Sequence, residues 1–251
     1  MPIMARTLFR DMLYFFRNQS FSIIILSILT AIISVVLGHV LSPGNEQLMT
    51  LIDVAHVAEN NELNQKQLIE QMSNDQRRVL FKAYAASTVS SLICNVFLSG
   101  GMLAIIRLVS NRELVKFLPV LSLLALLLPR LLFLMVLTTL LVQLGLLLMI
   151  VPGILLAIAF ILAPIISTND SLGPLQSMFL SANLAFSNLR LLSPAVFFWL
   201  LAKAGILLLA TKLTLLSSLA VTVLLNSLSN LISALFLLYL YRLYMFLREP
   251  K

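Results

Sequence analysis

Residues Phe21 to Leu41 read FSIIILSILTAIISVVLGHVL, a run of 21 positions without a formal charge. A helix advances about 1.5 Å per residue, so such a run crosses the hydrocarbon of a bilayer, which is about 30 Å thick. It exceeds the apolar part of a signal peptide, and no small-residue cleavage pattern follows it. Arg6, Arg10 and Arg17 precede it, and Ser42-Pro43-Gly44-Asn45 ends it, because a proline lacks the N–H that would continue the helix. The segment reads as an uncleaved signal anchor.

The same pattern recurs along the chain. Hydrophobic residues fill 60% of the 251 positions and charged residues only 11%, against about 25% charged in a soluble domain. Water cannot be the only solvent of such a chain. In hydrocarbon every backbone polar group must be satisfied internally, and helices do this segment by segment. The fold class that follows is all-α, a polytopic transmembrane helical bundle forming one integral membrane domain, with six spans expected at residues 21–41, 83–106, 131–150, 152–167, 192–211 and 217–240. A polar loop, residues 42–82, joins the first two. Within it Asn64-Gln65-Lys66-Gln67 resembles a helix start. Ser73-Asn74-Asp75-Gln76 has the spacing of a capping box, so the second helix is expected to begin above the bilayer.

Interfacial helices are expected at residues 2–17, 114–128 and 174–189. Residues 114–166 have room for two or three spans, and residues 114–128 either lie at the interface or enter the bilayer. In the favoured reading a break at Pro129-Arg130 separates an interfacial helix from the third span, and Val151-Pro152-Gly153 makes the hairpin into a short fourth. In the last, Leu175, Met178, Phe179, Ala182, Ala185, Phe186 and Leu189 lie opposite Gln176, Ser177, Ser181, Ser187 and Asn188, as in a helix lying on a membrane. In the first, Arg6, Arg10 and Arg17 oppose Phe9, Met12, Leu13 and Phe16, which suits anchoring at anionic headgroups.

The net charge of +7 is explained by orientation. With six spans, eleven Lys and Arg face one side, including Arg6, Arg107, Lys116, Arg190 and Lys251, while Lys66, Arg77, Arg78, Lys82 and Lys212 make five on the other. The positive-inside bias then puts both termini in the cytoplasm and residues 42–82 in the periplasm of a bacterial inner membrane. Nucleic-acid binding is not needed to account for the basic excess.

The chemistry-bearing residues are few. One cysteine, Cys94, permits no internal disulfide, and no Cys/His cluster has metal-ligand spacing, so no cofactor is expected. Paired carboxylates and Ser/His pairs are missing from the expected spans, which argues against an enzyme. Lys203 is the sharpest feature, falling midway along the fifth span. A central lysine costs about 2.5 to 3.5 kcal/mol on insertion scales, so the charge needs company. It either meets an anionic ligand, such as a lipid phosphate, or snorkels or bonds Asn226, Asn230 or Gln143. Asn226, Ser229, Asn230 and Ser233 share one face of the sixth span, a stripe that suits helix packing or a hydrophilic pathway.

Several stretches carry a family resemblance: Phe15-Phe16-Arg17-Asn18-Gln19, Leu37-Gly38-His39-Val40-Leu41-Ser42-Pro43, Val151-Pro152-Gly153-Ile154, Leu162-Ala163-Pro164 and Ser229-Asn230-Leu231-Ile232-Ser233-Ala234. In these the chain resembles the YciC family of uncharacterised bacterial inner-membrane proteins. The resemblance implies an inner-membrane location and about six spans, and it carries no catalytic residues to transfer. The expected function is that of a non-enzymatic envelope factor whose partners are the phospholipid bilayer and either membrane proteins or a bound anionic lipid. The alternative is a lipid-handling or small anionic-solute transport protein using Lys203 and the polar face of the last span.

Overall fold

The computed structural model describes residues 2–44, 72–112, 115–170, 172–213 and 219–248. The middle of the expected loop with its helix start at Asn64, the residues at 113–114 and the expected start of the last span at Ser217 lie outside the described residues. The chain divides into two compact units, Met1–Ile32 with Cys94–Lys251 and Ile33–Ile93.

All regular structure among the described residues is helical: α1 (Pro2–Leu41), α2 (Asn74–Ser110), α3 (Phe117–Leu148), α4 (Ile150–Ala159), α5 (Ala163–Asn169), α6 (Pro174–Ser187), α7 (Leu189–Leu213) and α8 (Leu219–Arg248). Among the described residues, six helical stretches are long and apolar enough to cross a membrane: Thr7–Leu41, Asn74–Ser110, Leu118–Leu148, Ile150–Asn169, Leu189–Thr211 and Leu219–Arg248. Their outer surfaces call for hydrocarbon. On α7, Phe198, Leu207 and Leu208 are 69%, 67% and 68% exposed, and a soluble monomer rarely shows apolar surface of this extent.

In the smaller unit, α2 begins where the sequence places a cap. The Ser73 hydroxyl accepts from the Gln76 N–H at 3.2 Å, and the Gln76 side chain accepts from the Ser73 N–H at 2.9 Å. Two donors that a helix start leaves open are thereby satisfied.

In the larger unit, two clusters make the core. Met12, Phe15, Ile23, Leu26, Met102, Ile105, Ala234 and Leu238 pack α1, α2 and α8 together. Leu8, Leu103, Leu162, Ile165, Ile166, Ala185, Leu192, Leu243 and Tyr244 add α5, α6 and α7. Residues 2–17 and the first span are two helical segments joined at a kink with non-helical angles at Gln19 (φ −118°, ψ 19°), and Leu8, Met12 and Phe15 of the first segment face protein. Phe9 and Leu13 remain exposed.

A correction concerns Pro129, which lies inside α3 without ending it. The expected helix 114–128 and the third span are therefore one element. Proline removes one backbone donor, but stopping the helix in an apolar setting would strip several more of their partners. Leu127 and Leu131, on either side of it, are both buried with Val96 of α2.

The hairpin also moves. The chain reverses at Met149 (φ −159°, ψ 151°), and Val151, Pro152 and Gly153 form the first turn of α4, where a proline is tolerated. Here α3 and α4 touch closely. A Cβ added to Gly153 would stand 2.6 Å from the Leu146 nitrogen, and one added to Gly145 would stand 2.9 Å from the Gly153 Cα. Side chains at either position would drive the two backbones apart.

Finally, the expected span 152–167 is two helices. Phe160, Ile161 and Leu162 form a turn between α4 and α5, immediately before Pro164 in the first turn of α5. Pro164 cannot bond back to Phe160, and its ring crowds that carbonyl.

Candidate functional site

Lys203 sits on α7, which packs along α8. Its ammonium donates to the Ser229 hydroxyl at 2.5 Å and to the Ser229 carbonyl at 3.0 Å. It also lies 5.7 Å from the ring centroid of Trp199, one turn earlier on the same helix. Trp199 in turn stacks on Phe236 of α8, with centroids 5.2 Å apart. A cation over an indole face gains from the ring's quadrupole, more so away from water. The lysine is thus held on two sides, by a hydroxyl-carbonyl pair and by an aromatic face.

The polar stripe of α8 serves two neighbours. Ser229 faces α7, and Ser233 donates to the Ser229 carbonyl at 3.1 Å. Asn230, one residue on and about 100° further around the helix, turns to α1. Its amide donates to the Thr30 hydroxyl at 3.0 Å and to the Ser27 carbonyl at 3.4 Å. Thr30 and Ser27 each return their own proton to a carbonyl one turn back, Leu26 at 2.8 Å and Ile23 at 2.9 Å. Asn226 has no bonded partner among the described residues. Gln143 lies half-buried on α3 and takes no part in the bonds of Lys203. Of the four residues singled out in the sequence, Lys203 and Asn230 therefore make interhelical joints, to different helices, and the four do not converge.

Sequence reasoning missed two polar centres. Ser181 of α6 is fully buried; its hydroxyl donates to the Ala159 carbonyl at 2.6 Å and accepts from the Leu162 N–H at 3.2 Å. It supplies the turn between α4 and α5 with bonds that the broken helix has lost. Ser177 is buried on the same face, whereas Leu175 and Phe179 are 61% and 79% exposed. Ser177 and Ser181 of α6 therefore point into protein, and its large apolar side chains Leu175 and Phe179 stay open on the outside.

The second centre is Asp170, at the end of α5. It accepts from the Tyr244 hydroxyl at 2.5 Å and pairs with the Arg248 guanidinium, while the Asn169 amide donates to it at 3.1 Å. The only sequence signal was that Asp170 is an isolated acid beside an apolar run.

A model described as an uncharacterised protein family (UPF0259) matches residues 1–246. The chain belongs to that family. It is the family called YciC above. A UPF0259 membrane protein of Sodalis glossinidius is 66% identical over 249 residues, covering 99% of this chain and 100% of the relative. One from Serratia proteamaculans is 47% identical over 250 residues (99% and 100%), and one from Yersinia pestis 44% over 249 (99% and 97%). No solved structure matches the chain. Like these relatives, this is a membrane protein, and its six apolar helical stretches make it multi-pass.

Proposed function

We propose that this chain is a non-enzymatic factor of the bacterial inner membrane, with both termini in the cytoplasm, that acts through contacts with other envelope proteins. One observation carries the reading: the two polar side chains Lys203 and Asn230 join helix to helix. Lys203 is engaged by Ser229 and Asn230 by Thr30, so two of the three ammonium donors of Lys203 are already spent within the protein. Interhelical bonds of this kind are worth about 0.6 kcal/mol on average, enough to fix which faces meet. The excess of basic residues on one side supports the orientation. The test places photo-crosslinking residues at exposed Phe9 and Phe197 in intact cells and combines them with Lys203→Leu. A discrete protein adduct and unimpaired complementation by Lys203→Leu are expected. Adducts to lipid alone, or loss of function by an inserted Lys203→Leu protein, would favour the lipid-handling or anionic-solute transport alternative.

A further inference from the structure

The larger unit carries an apolar groove of about 190 Å³ between α1 and the start of α3. Phe21, Ile25 and Leu29 form one wall and Val120, Leu121 and Leu124 the other, with Ile105 of α2 between them. The spacing of four residues on α1 puts its three side chains in one row along the helix. Phe21, Ile25, Leu29 and Leu121 are 77%, 42%, 40% and 45% exposed, so the groove opens outward along apolar helices. Ser22 and Lys116 are the polar residues of its lining, and Lys116 is the charged one, exposed and without an ion pair among the described residues.

Lys116 is also the residue just before α3, at its N-cap, and no side chain caps that helix start. Pro119 has no N–H, and the Val120 N–H bonds the Lys116 carbonyl at 3.2 Å, which leaves Phe117 and Leu118 as the first-turn donors. A full positive charge and the positive end of a helix therefore meet at the mouth of an apolar slot. Each feature alone is common. Together they match one molecule, with an anionic head and a hydrocarbon tail at a fixed separation.

We propose that this groove binds one anionic glycerophospholipid, with its phosphate at Lys116 and the first turn of α3 and an acyl chain between α1 and α3. Backbone N–H groups at a helix start hold phosphate oxygens directly, and the lysine adds charge recognition that a neutral headgroup does not reward. The site lies away from Lys203, and it requires neither the orientation nor the non-enzymatic role proposed above.

The test is native mass spectrometry of the detergent-purified full chain, offered phosphatidylglycerol and phosphatidylcholine with matched acyl chains. One lysine near an anionic lipid is worth about a fivefold preference, so phosphatidylglycerol is expected to be retained about fivefold or more over phosphatidylcholine. Lys116→Gln should bring the ratio close to one, Lys116→Arg should keep it, and Arg112→Gln, an exposed arginine outside the groove, should leave it unchanged. Val120→Trp, which fills the slot, should reduce retention of both lipids. Equal retention of the two lipids by the wild type, an unchanged ratio in Lys116→Gln, or undiminished binding by Val120→Trp would each overturn the proposal. Should Lys116→Gln fail to fold, the Val120→Trp comparison decides.

Discussion

The Lys203 ammonium of α7 is bonded to both the hydroxyl and the carbonyl of Ser229 on α8, at 2.5 and 3.0 Å. A cation in the middle of a span thereby acts as a joint between two neighbouring helices. Removing one partner from such a pair is worse than removing both, because the survivor keeps its desolvation cost without its bonds. Ser229→Ala removes the hydroxyl bond but leaves the ammonium its carbonyl acceptor, so it is expected to destabilise the protein by about 0.6 kcal/mol and no more than about 1.7, and the double variant Lys203→Met/Ser229→Ala by less. Thermal melts in detergent of the two single variants and the double variant would measure this. A double variant less stable than Ser229→Ala would refute the joint.

Asn230 links α8 to α1 through Thr30. Asn230→Leu is expected to cost about 0.6 kcal/mol, and no more than about 1.7, the range of interhelical bonds in membranes. The same melts check it, and Thr30→Val should add little on top, since both changes break one bond.

Ser181 serves the turn between α4 and α5. Ser181→Ala would leave the Ala159 carbonyl and the Leu162 N–H without that partner in a fully buried place, at a cost of about 1–3 kcal/mol. Hydrogen exchange should report it locally, with the Leu162 amide losing protection before the amides of α8. Unchanged protection would show that the serine is dispensable to the turn.

Gly153 faces Leu146 across the hairpin. A methyl there would stand 2.6 Å from a backbone nitrogen that cannot swing aside. Gly153→Ala is expected to destabilise by about 1–3 kcal/mol, as overpacking does, while Gly38→Ala, where nothing lies within 4 Å, should be neutral or mildly stabilising. Similar melting points for the two variants would contradict the close approach.

These results mark what the sequence could convey. The spans were legible because hydrophobic length is a direct physical requirement of the bilayer, and the cap at Ser73 was legible because its two bonds lie within four residues. Pro129 misled because proline's local cost was weighed without the larger cost of ending a helix in hydrocarbon. The inward turn of Ser177 and Ser181 was not legible for a related reason: among lipids the outer face is apolar and a hydroxyl turns to whatever backbone needs it. The partners of Lys203 and Asn230 depend on the rotation of α7 and α1 about their axes, and nothing local to residues 203 or 230 encodes that rotation. Asp170 finds Tyr244 and Arg248 across more than seventy positions of chain, a pairing that only packing creates.

The central claim is that six lipid-solvated helices carry the chain across the membrane and return its end to the side where it began. Paired reporter fusions test this most directly, with green fluorescent protein and alkaline phosphatase placed in turn after Lys251 and within residues 45–71. The account predicts fluorescence without phosphatase activity at the C-terminus, and phosphatase activity without fluorescence in the loop. Phosphatase activity at the C-terminus would contradict it.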